Sequence, residues 1–241
     1  MERACEACRA GNLEYIQSLS EEELARLNSR RDEDGRSLLH AAVSSIKPEL
    51  VGYLLQHGAQ PMISCADEEG WTPLHTAASC GSEPIINTLL NNGADINSRN
   101  SAGCRPIHYA ASKGRLGALQ TLVEHGADIN TQDRTGSTAL HRACSTGKLD
   151  CARLLVERGR ARLGLKDSQG ATALHVAVAS NHQPLALLLA SLGADIEVSD
   201  AAGATPLELA SSDTRFQNTL RAAAAGVTTA SRGRSGMHSR A

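Results

Sequence analysis

Aromatic side chains are scarce in this sequence of 241 residues. They make up 2% of the chain, with a single Trp, a single Phe and three Tyr. A globular core of this size normally uses more large rings. The scarcity therefore argues against one large globular domain. It favours a fold whose core is built from Leu, Ile, Val and Ala.

A long hydrophobic run and a strong net charge are also missing. No apolar stretch approaches the roughly 20 residues of a membrane span, and Met1-Glu2-Arg3 lacks the basic-then-apolar order of a signal peptide. The formal net charge of -2 argues against nucleic acid or a membrane surface as the main partner. We therefore predict a protein that is cytoplasmic, or both cytoplasmic and nuclear, and monomeric when free, with neither nucleic acid nor membrane as partner.

The seven cysteines do not form a recognisable disulfide framework, because their number is odd and their spacing irregular. They are typical of reduced thiols in an intracellular protein. Cys5 and Cys8 have C-x-x-C spacing, but no second pair follows at the spacing of a zinc ribbon. We interpret both as small residues that pack a helix.

Sequence signatures of catalysis are absent as well. The chain has no G-x-S-x-G, no phosphate-binding G-x-x-x-x-G-K-[ST] and no G-x-G-x-x-G. We predict that the protein is not an enzyme and uses no cofactor and no metal.

A short phrase recurs at a nearly constant pitch. Its core is Thr-Pro-Leu-His at Thr72–His75, and close variants end at four other histidines, which are His40, His108, His141 and His175. The histidines are 35, 33, 33 and 34 residues apart, and a degenerate copy ends at Glu208. A period of about 33 residues with this core is the signature of ankyrin repeats. The sequence therefore predicts an all-α repeat solenoid whose surface binds other proteins.

Glycines mark the parts of each repeat. One glycine stands five residues before each histidine or its equivalent, as Gly35 and Gly70 do, and marks a hairpin tip. A Thr or Ser then caps a first helix, and a second helix ends at a C′ glycine such as Gly93 or Gly159. We predict an ankyrin domain over 1–222, followed by a disordered basic tail over 223–241. Its seven repeats, including two atypical end caps, span 1–31, 32–66, 67–99, 100–132, 133–166, 167–199 and 200–222.

The five spaced histidines suggest a metal or catalytic site, but the repeat geometry excludes it. Equivalent positions in a stack of helices lie roughly 10 Å apart, whereas zinc ligands converge within about 2 Å of one ion. We therefore predict that each histidine bonds the backbone of a neighbouring hairpin.

With catalysis and metal binding excluded, the candidate functional feature is the surface. It is charged, and the acidic and basic residues are segregated along the chain. Residues at the tips and on the first helices of an ankyrin array share one concave face, so the acidic N-terminal repeats and the basic middle predict a bipolar binding face. An ordinary solvated surface is the alternative. The predicted acidic residues are Asp32, Glu33, Asp34, Asp67, Glu68 and Glu69. The predicted basic residues are Arg36, Arg99, Arg105, Lys113, Arg134 and Arg142.

Trp71 stands out on this face. It follows Gly70 directly, at a tip position where other repeats have Arg36, Cys104 or a small residue. We predict that this single Trp contacts a partner as a hot spot, the alternative being that it packs flat on the next hairpin. Tyr109, just after His108, is a second candidate.

Several stretches resemble the gankyrin family of proteasome assembly chaperones. They are Asp67–His75 with Ala77-Ala78-Ser79, Asn100–Lys113, and Ala139–Ala143. The resemblance covers about 1–222. It implies that the concave face grips the C-terminal domain of one proteasomal ATPase subunit and delays its docking until assembly is complete. The retinoblastoma-binding Leu-x-Cys-x-Glu motif of vertebrate members has no counterpart in Leu174–Ser180, so that partner is not implied.

Two other classes of ankyrin protein compete with this interpretation. An inhibitor or retention factor for a kinase or transcription factor is the main alternative, although such proteins usually have fewer repeats or long acidic tails. An adaptor for a ubiquitin ligase would need a C-terminal box of about 40 residues, which the short segment after the last repeat does not provide.

Overall fold

The fold is built from short helices joined by tight turns. The computed structural model describes residues 1–211 and 213–234. Within these residues no strand forms beyond two isolated bridges, Arg31 with Ser37 and Lys166 with Thr172. The predicted all-α repeat architecture is confirmed.

The helices come in pairs, one pair in each repeat from the second onward. The first helices are α4 (Leu38–Ser44), α6 (Pro73–Cys80), α8 (Pro106–Ser112), α10 (Ala139–Ser145), α12 (Ala173–Ala179) and α14 (Pro206–Leu209). The second helices are α5 (Pro48–Leu54), α7 (Glu83–Asn91), α9 (Leu116–Glu124), α11 (Leu149–Glu157), α13 (Gln183–Ser191) and α15 (Thr214–Arg234). Three helices precede them: α1 (Glu2–Arg9), α2 (Leu13–Gln17) and α3 (Glu21–Asn28). A π-helical turn at Leu55–Ala59 and a 3-10 turn at Gln60–Met62 follow α5.

The contacts divide the chain into two compact units. The first contains Met1–Ala110 and Arg115–Asp128, and the second contains Ala111–Gly114 and the chain from Ile129 onward. Each unit has its own core of Leu, Ile, Val and Ala side chains. Ala77 and Ala78 in the first unit and Ala143 and Ala177 in the second are fully buried, so small side chains let neighbouring first helices approach closely.

Capping boxes start five of the six first helices where the recurring phrase predicts them, namely α4, α6, α10, α12 and α14. In α6 the N-cap is Thr72, its partner three residues on is His75, and Pro73 takes the first helical position. Proline is suited to that position because its missing N–H would have no partner there. The terminal repeat uses Thr205 with Glu208 in the same arrangement.

Cys5 and Cys8 are small packing residues, as expected. Cys5 and Cys8 are buried in α1, and all seven thiols are free. Burial raises the pKa of the Cys8 thiol to about 12, so this thiol is protonated near neutral pH.

Two boundaries differ from those expected. In the fifth repeat the left-handed residue after the second helix is Arg160 (φ 54°), not Gly159, because that repeat contains one extra residue and the turn closes one position later. In the last repeat α15 continues to Arg234, so the backbone is helical over 223–234 where disorder was predicted. Consecutive alanines at Ala222–Ala225 favour continuation of the helix. The rest of the predicted tail, 235–241, lies outside the described residues.

No described helix combines the length and the hydropathy that are needed to cross a membrane.

Candidate functional site

Each hairpin is held by the side chain of its first residue. The Oδ1 atom of Asp32 accepts the backbone N–H groups of Asp34 and Arg36 at 3.2 and 2.8 Å. Asp67 accepts those of Glu69 and Trp71 at 3.0 and 2.8 Å, and its side chain is only 3% exposed. Asp67 was predicted to belong to an exposed acidic surface, but its side chain is buried. Its carboxylate is used inside the turn, and Asp32 has the same role while remaining partly exposed.

The other four predicted acidic residues do reach solvent. Glu33, Asp34, Glu68 and Glu69 are all exposed at the tips of the second and third repeats. The tips are joined through their backbones, since Glu68 N–H donates to the Asp34 carbonyl at 3.0 Å. The first unit thus carries an acidic rim on a backbone that is already ordered.

A groove lies beside this rim. Its volume is about 270 Å³, and we call it the Trp71 groove; its lining residues are Arg9, Arg36, His40, Ala41, Ser44, Glu69, Trp71 and Thr76. Arg36 Nε donates to the Asp67 carboxylate at 3.2 Å, and Arg9 contacts the Asp32 carboxylate at 3.5 Å. The side chains of both arginines remain about half exposed. The turn carboxylates of Asp32 and Asp67 therefore orient two cations towards a groove with an acidic rim.

The Trp71 ring is partly packed against neighbouring rings and partly exposed. Its ring is tilted against Tyr109, with centroids 4.3 Å apart, and the His75 ring lies 5.8 Å away. Tyr109 is fixed in turn, because Asn100 Nδ2 donates to its hydroxyl at 2.7 Å. Trp71 is partly exposed and also lines the groove. The alternative of packing on the next repeat is therefore realised for one part of the ring, and the remainder is available for contact.

Four of the five spaced histidines bond the backbone of a neighbouring hairpin, as predicted. His75 Nδ1 accepts the N–H of Thr72 at 3.2 Å, so the proton of the neutral ring is on Nε2, which donates to the Cys104 carbonyl at 3.1 Å. His40 bonds the Trp71 carbonyl in the same way, as His141 bonds that of Ala171 and His175 that of Ala204. Burial lowers the pKa of His40 and His141, and lowers that of His75 to about 4. Among the described residues no cluster of His, Cys, Asp or Glu is arranged to hold a metal ion.

Two family models match this chain. The model described as ankyrin repeats in three copies matches residues 62–133 and 107–200, and a single-repeat ankyrin model matches residues 34–63. The chain belongs to the ankyrin-repeat family. A comparison with curated proteins gave no match.

Solved structures also include close matches to this ankyrin array. One is the crystal structure of the ankyrin repeat domain of Bcl-3, described as a unique member of the IκB protein family. It is 29% identical in sequence, with a TM-score of 0.76, and the match covers 90% of this chain and 97% of that one. Ankyrin repeats mediate protein–protein interaction, and nothing in these comparisons points to catalytic activity.

The predicted basic residues of the ankyrin array fall into two groups. Arg99, Lys113 and Arg134 are exposed. Arg105 is not, since its side chain is 13% exposed and its Nη1 donates to Asn97 and Asp128 at 3.0 and 3.1 Å. Arg105 was predicted to lie on the binding surface, but it instead forms an internal bridge between Asn97 and Asp128. It occupies the position where other repeats have a capping Thr or Ser.

Arg142 is also engaged within its own repeat. Its guanidinium forms an ion pair with Asp133, whose side chain is fully buried. Burial alone would raise the pKa of Asp133, but hydrogen bonds from Thr135 and Arg142 reverse the effect and lower it. Arg142 follows Asp133 by nine residues, as Tyr109 follows Asn100. Both side chains thus brace the first residue of their own hairpin.

Proposed function

We propose that this ankyrin protein is an assembly chaperone that clamps the C-terminal domain of one proteasomal ATPase subunit and acts in the cytoplasm, or in both the cytoplasm and the nucleus. The observation that carries the proposal is the Trp71 groove, in which an aromatic ring, two oriented guanidinium groups and an acidic rim occur together. Aromatic and Arg side chains dominate hot spots of protein interfaces. The stretch Asp67–His75, which resembles the gankyrin family, contributes Glu69 and Trp71 to this groove.

The arrangement suits a clamp that does not need to fold on binding. Asp32 and Asp67 fix the hairpin turns, and Asp67 also orients Arg36. A preorganised surface loses little conformational entropy when it binds. A partner held in this way would be kept from its next assembly step as long as the clamp occupies the surface, without any catalysis.

The test is co-purification of the full chain with the isolated C-terminal domain of each proteasomal ATPase subunit. Retention of a single subunit supports the chaperone function. Retention of none of them contradicts it.

A second candidate is an inhibitor that retains a transcription factor. The likeness to Bcl-3, a member of the IκB family, favours it. The two candidates are distinguished by adding a protein-binding domain of a transcription factor to the same co-purification. Retention of that domain and of no ATPase domain would favour the inhibitor.

Reversal of the charges at Glu68 and Glu69 tests the acidic rim. Because exposed charges steer association, we expect the Glu68→Lys, Glu69→Lys variant to bind the retained ATPase domain about tenfold more slowly at low salt. Stopped-flow fluorescence at several salt concentrations measures the rate. The matched control is Glu21→Lys, Glu22→Lys, which reverses two adjacent exposed charges on α3. A wild-type association rate that is independent of salt would contradict a charge-matched face.

A further inference from the structure

The first residue of each hairpin is an Asp or Asn, and one of its two polar side-chain atoms holds the turn. In the second to fifth repeats the other atom also has a partner in the chain. The pairs are Asp32 with Arg9, Asp67 with Arg36, Asn100 with Tyr109, and Asp133 with Arg142. Each of the three carboxylates in this set is therefore matched by an arginine.

The sixth and seventh repeats break this pattern. The Oδ1 atoms of Asp167 and Asp200 each accept two backbone N–H groups of their own turn, at 2.9 and 3.0 Å. Their Oδ2 atoms make no hydrogen bond or ion pair within the described part of the chain. The residue nine positions later, an arginine in the fifth repeat, is Val176 after Asp167 and Leu209 after Asp200. Neither side chain can donate a hydrogen bond.

The two open carboxylates line a groove of the second unit, with a volume of about 490 Å³. A further groove of about 580 Å³ adjoins it, since Ala179 and Leu209 line both. We call the two together the α12–α14 groove. Helix α14 has four residues where the other first helices have seven or eight, and both Ala179 and Leu209 are exposed. The surface of α12 is apolar here, because Val176 and Ala179 replace an arginine and a serine of α10.

The charge of the α12–α14 groove is negative. Asp213 adds a third carboxylate, and the residues that line the groove include no Lys and no Arg. His175 also lines it, but both of its ring nitrogens are bonded to backbone groups. Of the cations that flank it in sequence, Lys166 donates from Nζ to a backbone carbonyl at 2.7 Å, Arg142 is held in its ion pair, and Arg134 does not line the groove. The open carboxylates therefore lack a matching cation.

We propose that the α12–α14 groove binds a protein segment that carries an arginine beside an apolar side chain. The guanidinium takes the place beside Asp167 and Asp200 that an arginine of the chain takes in earlier repeats. Its planar set of donors matches a carboxylate, which favours Arg over Lys. The apolar neighbour packs on Val176 and Leu209, and charge complementarity selects the segment. The site does not depend on the Trp71 groove or on the proposed chaperone function.

Selection of short random peptides displayed on phage tests this site. The full-length wild type is the target, and the Asp167→Asn, Asp200→Asn variant is the counter-target. Asn removes the charge but keeps the acceptor of the turn, as Asn100 does in the fourth repeat. We expect the enriched peptides to share an arginine next to an apolar residue. Their affinity should fall by at least about tenfold on the double variant, and equally when citrulline, which is uncharged, replaces the arginine.

Two further proteins separate the binding site from general effects of charge. Val176→Arg supplies the missing arginine within the chain, at the spacing that Arg142 has from its own carboxylate, and should exclude the peptides. Asp150→Asn, Asp195→Asn is the matched control. It removes two exposed carboxylates of the second unit that do not line the groove, and should leave peptide binding intact. The thermal midpoints of all these variants should stay within a few degrees of the wild type.

Several results would overturn the proposal. These are enrichment of no peptide, enrichment of peptides without a basic residue, and equal affinity for the wild type and the Asp167→Asn, Asp200→Asn variant. A sedimentation experiment in which the wild type is a dimer and Val176→Arg a monomer would also overturn it, because a second copy of the chain would then occupy the groove. The chaperone function is tested separately, since Trp71→Ala should leave the selected peptides bound.

Discussion

Trp71→Ala is expected to weaken binding of the retained ATPase domain by about 2 kcal/mol or more, roughly 30-fold in affinity. The Trp71 ring lines the groove and packs on Tyr109, so truncation removes a rigid aromatic surface and loosens the ring beside it. Titration calorimetry measures the affinity, and circular dichroism confirms that the helices remain. Trp71 is the only Trp, so its fluorescence in the wild type also reports binding at this position.

Two variants separate contact from packing in this prediction. Trp71→Phe keeps an aromatic ring against Tyr109 and should recover part of the affinity. Tyr109→Phe keeps the ring but loses the bond from Asn100, so it should alter affinity much less than Trp71→Ala. An affinity of Trp71→Ala equal to that of the wild type would remove Trp71 from the binding site.

The repeat architecture could be predicted because local requirements recur in every repeat. A left-handed turn needs Gly at positions such as Gly70, and the start of a helix needs a capping residue such as Thr72. His75 was predicted to join repeats because equivalent positions cannot converge on one ion, and its bond to the Cys104 carbonyl agrees. Such features depend on a few neighbouring residues, so they can be recognised in the sequence.

The surface was less predictable, because charge alone does not show where a side chain is used. Asp67 and Glu68 are adjacent and both acidic, yet one holds a turn and the other reaches solvent. Arg105 was expected to be exposed and instead bridges Asn97 and Asp128. A signal was present in the sequence, since an Asp or Asn stands three residues before the tip glycine in the second to seventh repeats. This spacing is that of an Asx turn.

Ile46 could not be predicted as unusual from its residue type. Ile46 is recognised as unusual only when it is aligned with Gly11, Gly81 and Gly114, because all four residues have a positive φ. The extent of α15 was missed for a different reason: a Ser, Gly and Arg-rich composition suggested disorder, although the alanines before it favour a helix.

Acid is expected to destabilise the first unit through His75. The ring is fully buried, and burial lowers its pKa to about 4 although the bond to the Cys104 carbonyl opposes the effect. In the unfolded chain the pKa returns to about 6.5. Between these values the unfolded state binds a proton that the folded state does not bind. The stabilisation is therefore complete above pH 6.5 and is lost as the pH falls towards 4.

The size of this effect follows from the shift in pKa. One pKa unit corresponds to about 1.4 kcal/mol, so His75 alone accounts for about 3 kcal/mol of unfolding free energy between pH 7 and pH 4. His40 has a lowered pKa for the same reason and adds in the same direction. Carboxylates with lowered pKa, such as Asp133, lose their stabilising contribution only below their ordinary value of 3.8. The interval between pH 4 and pH 6.5 therefore isolates the histidines.

His75→Gln provides the matched variant. Gln at this position can keep the capping box, as Glu208 does with Thr205 in the last repeat, but it does not titrate. We expect the variant to be less stable than the wild type at pH 7, because the bond to the Cys104 carbonyl is lost, and to depend less steeply on pH between 4 and 6.5. Urea unfolding followed by Trp71 fluorescence at several pH values measures both. Equal pH dependence in the two proteins would show that His75 is not the group that titrates.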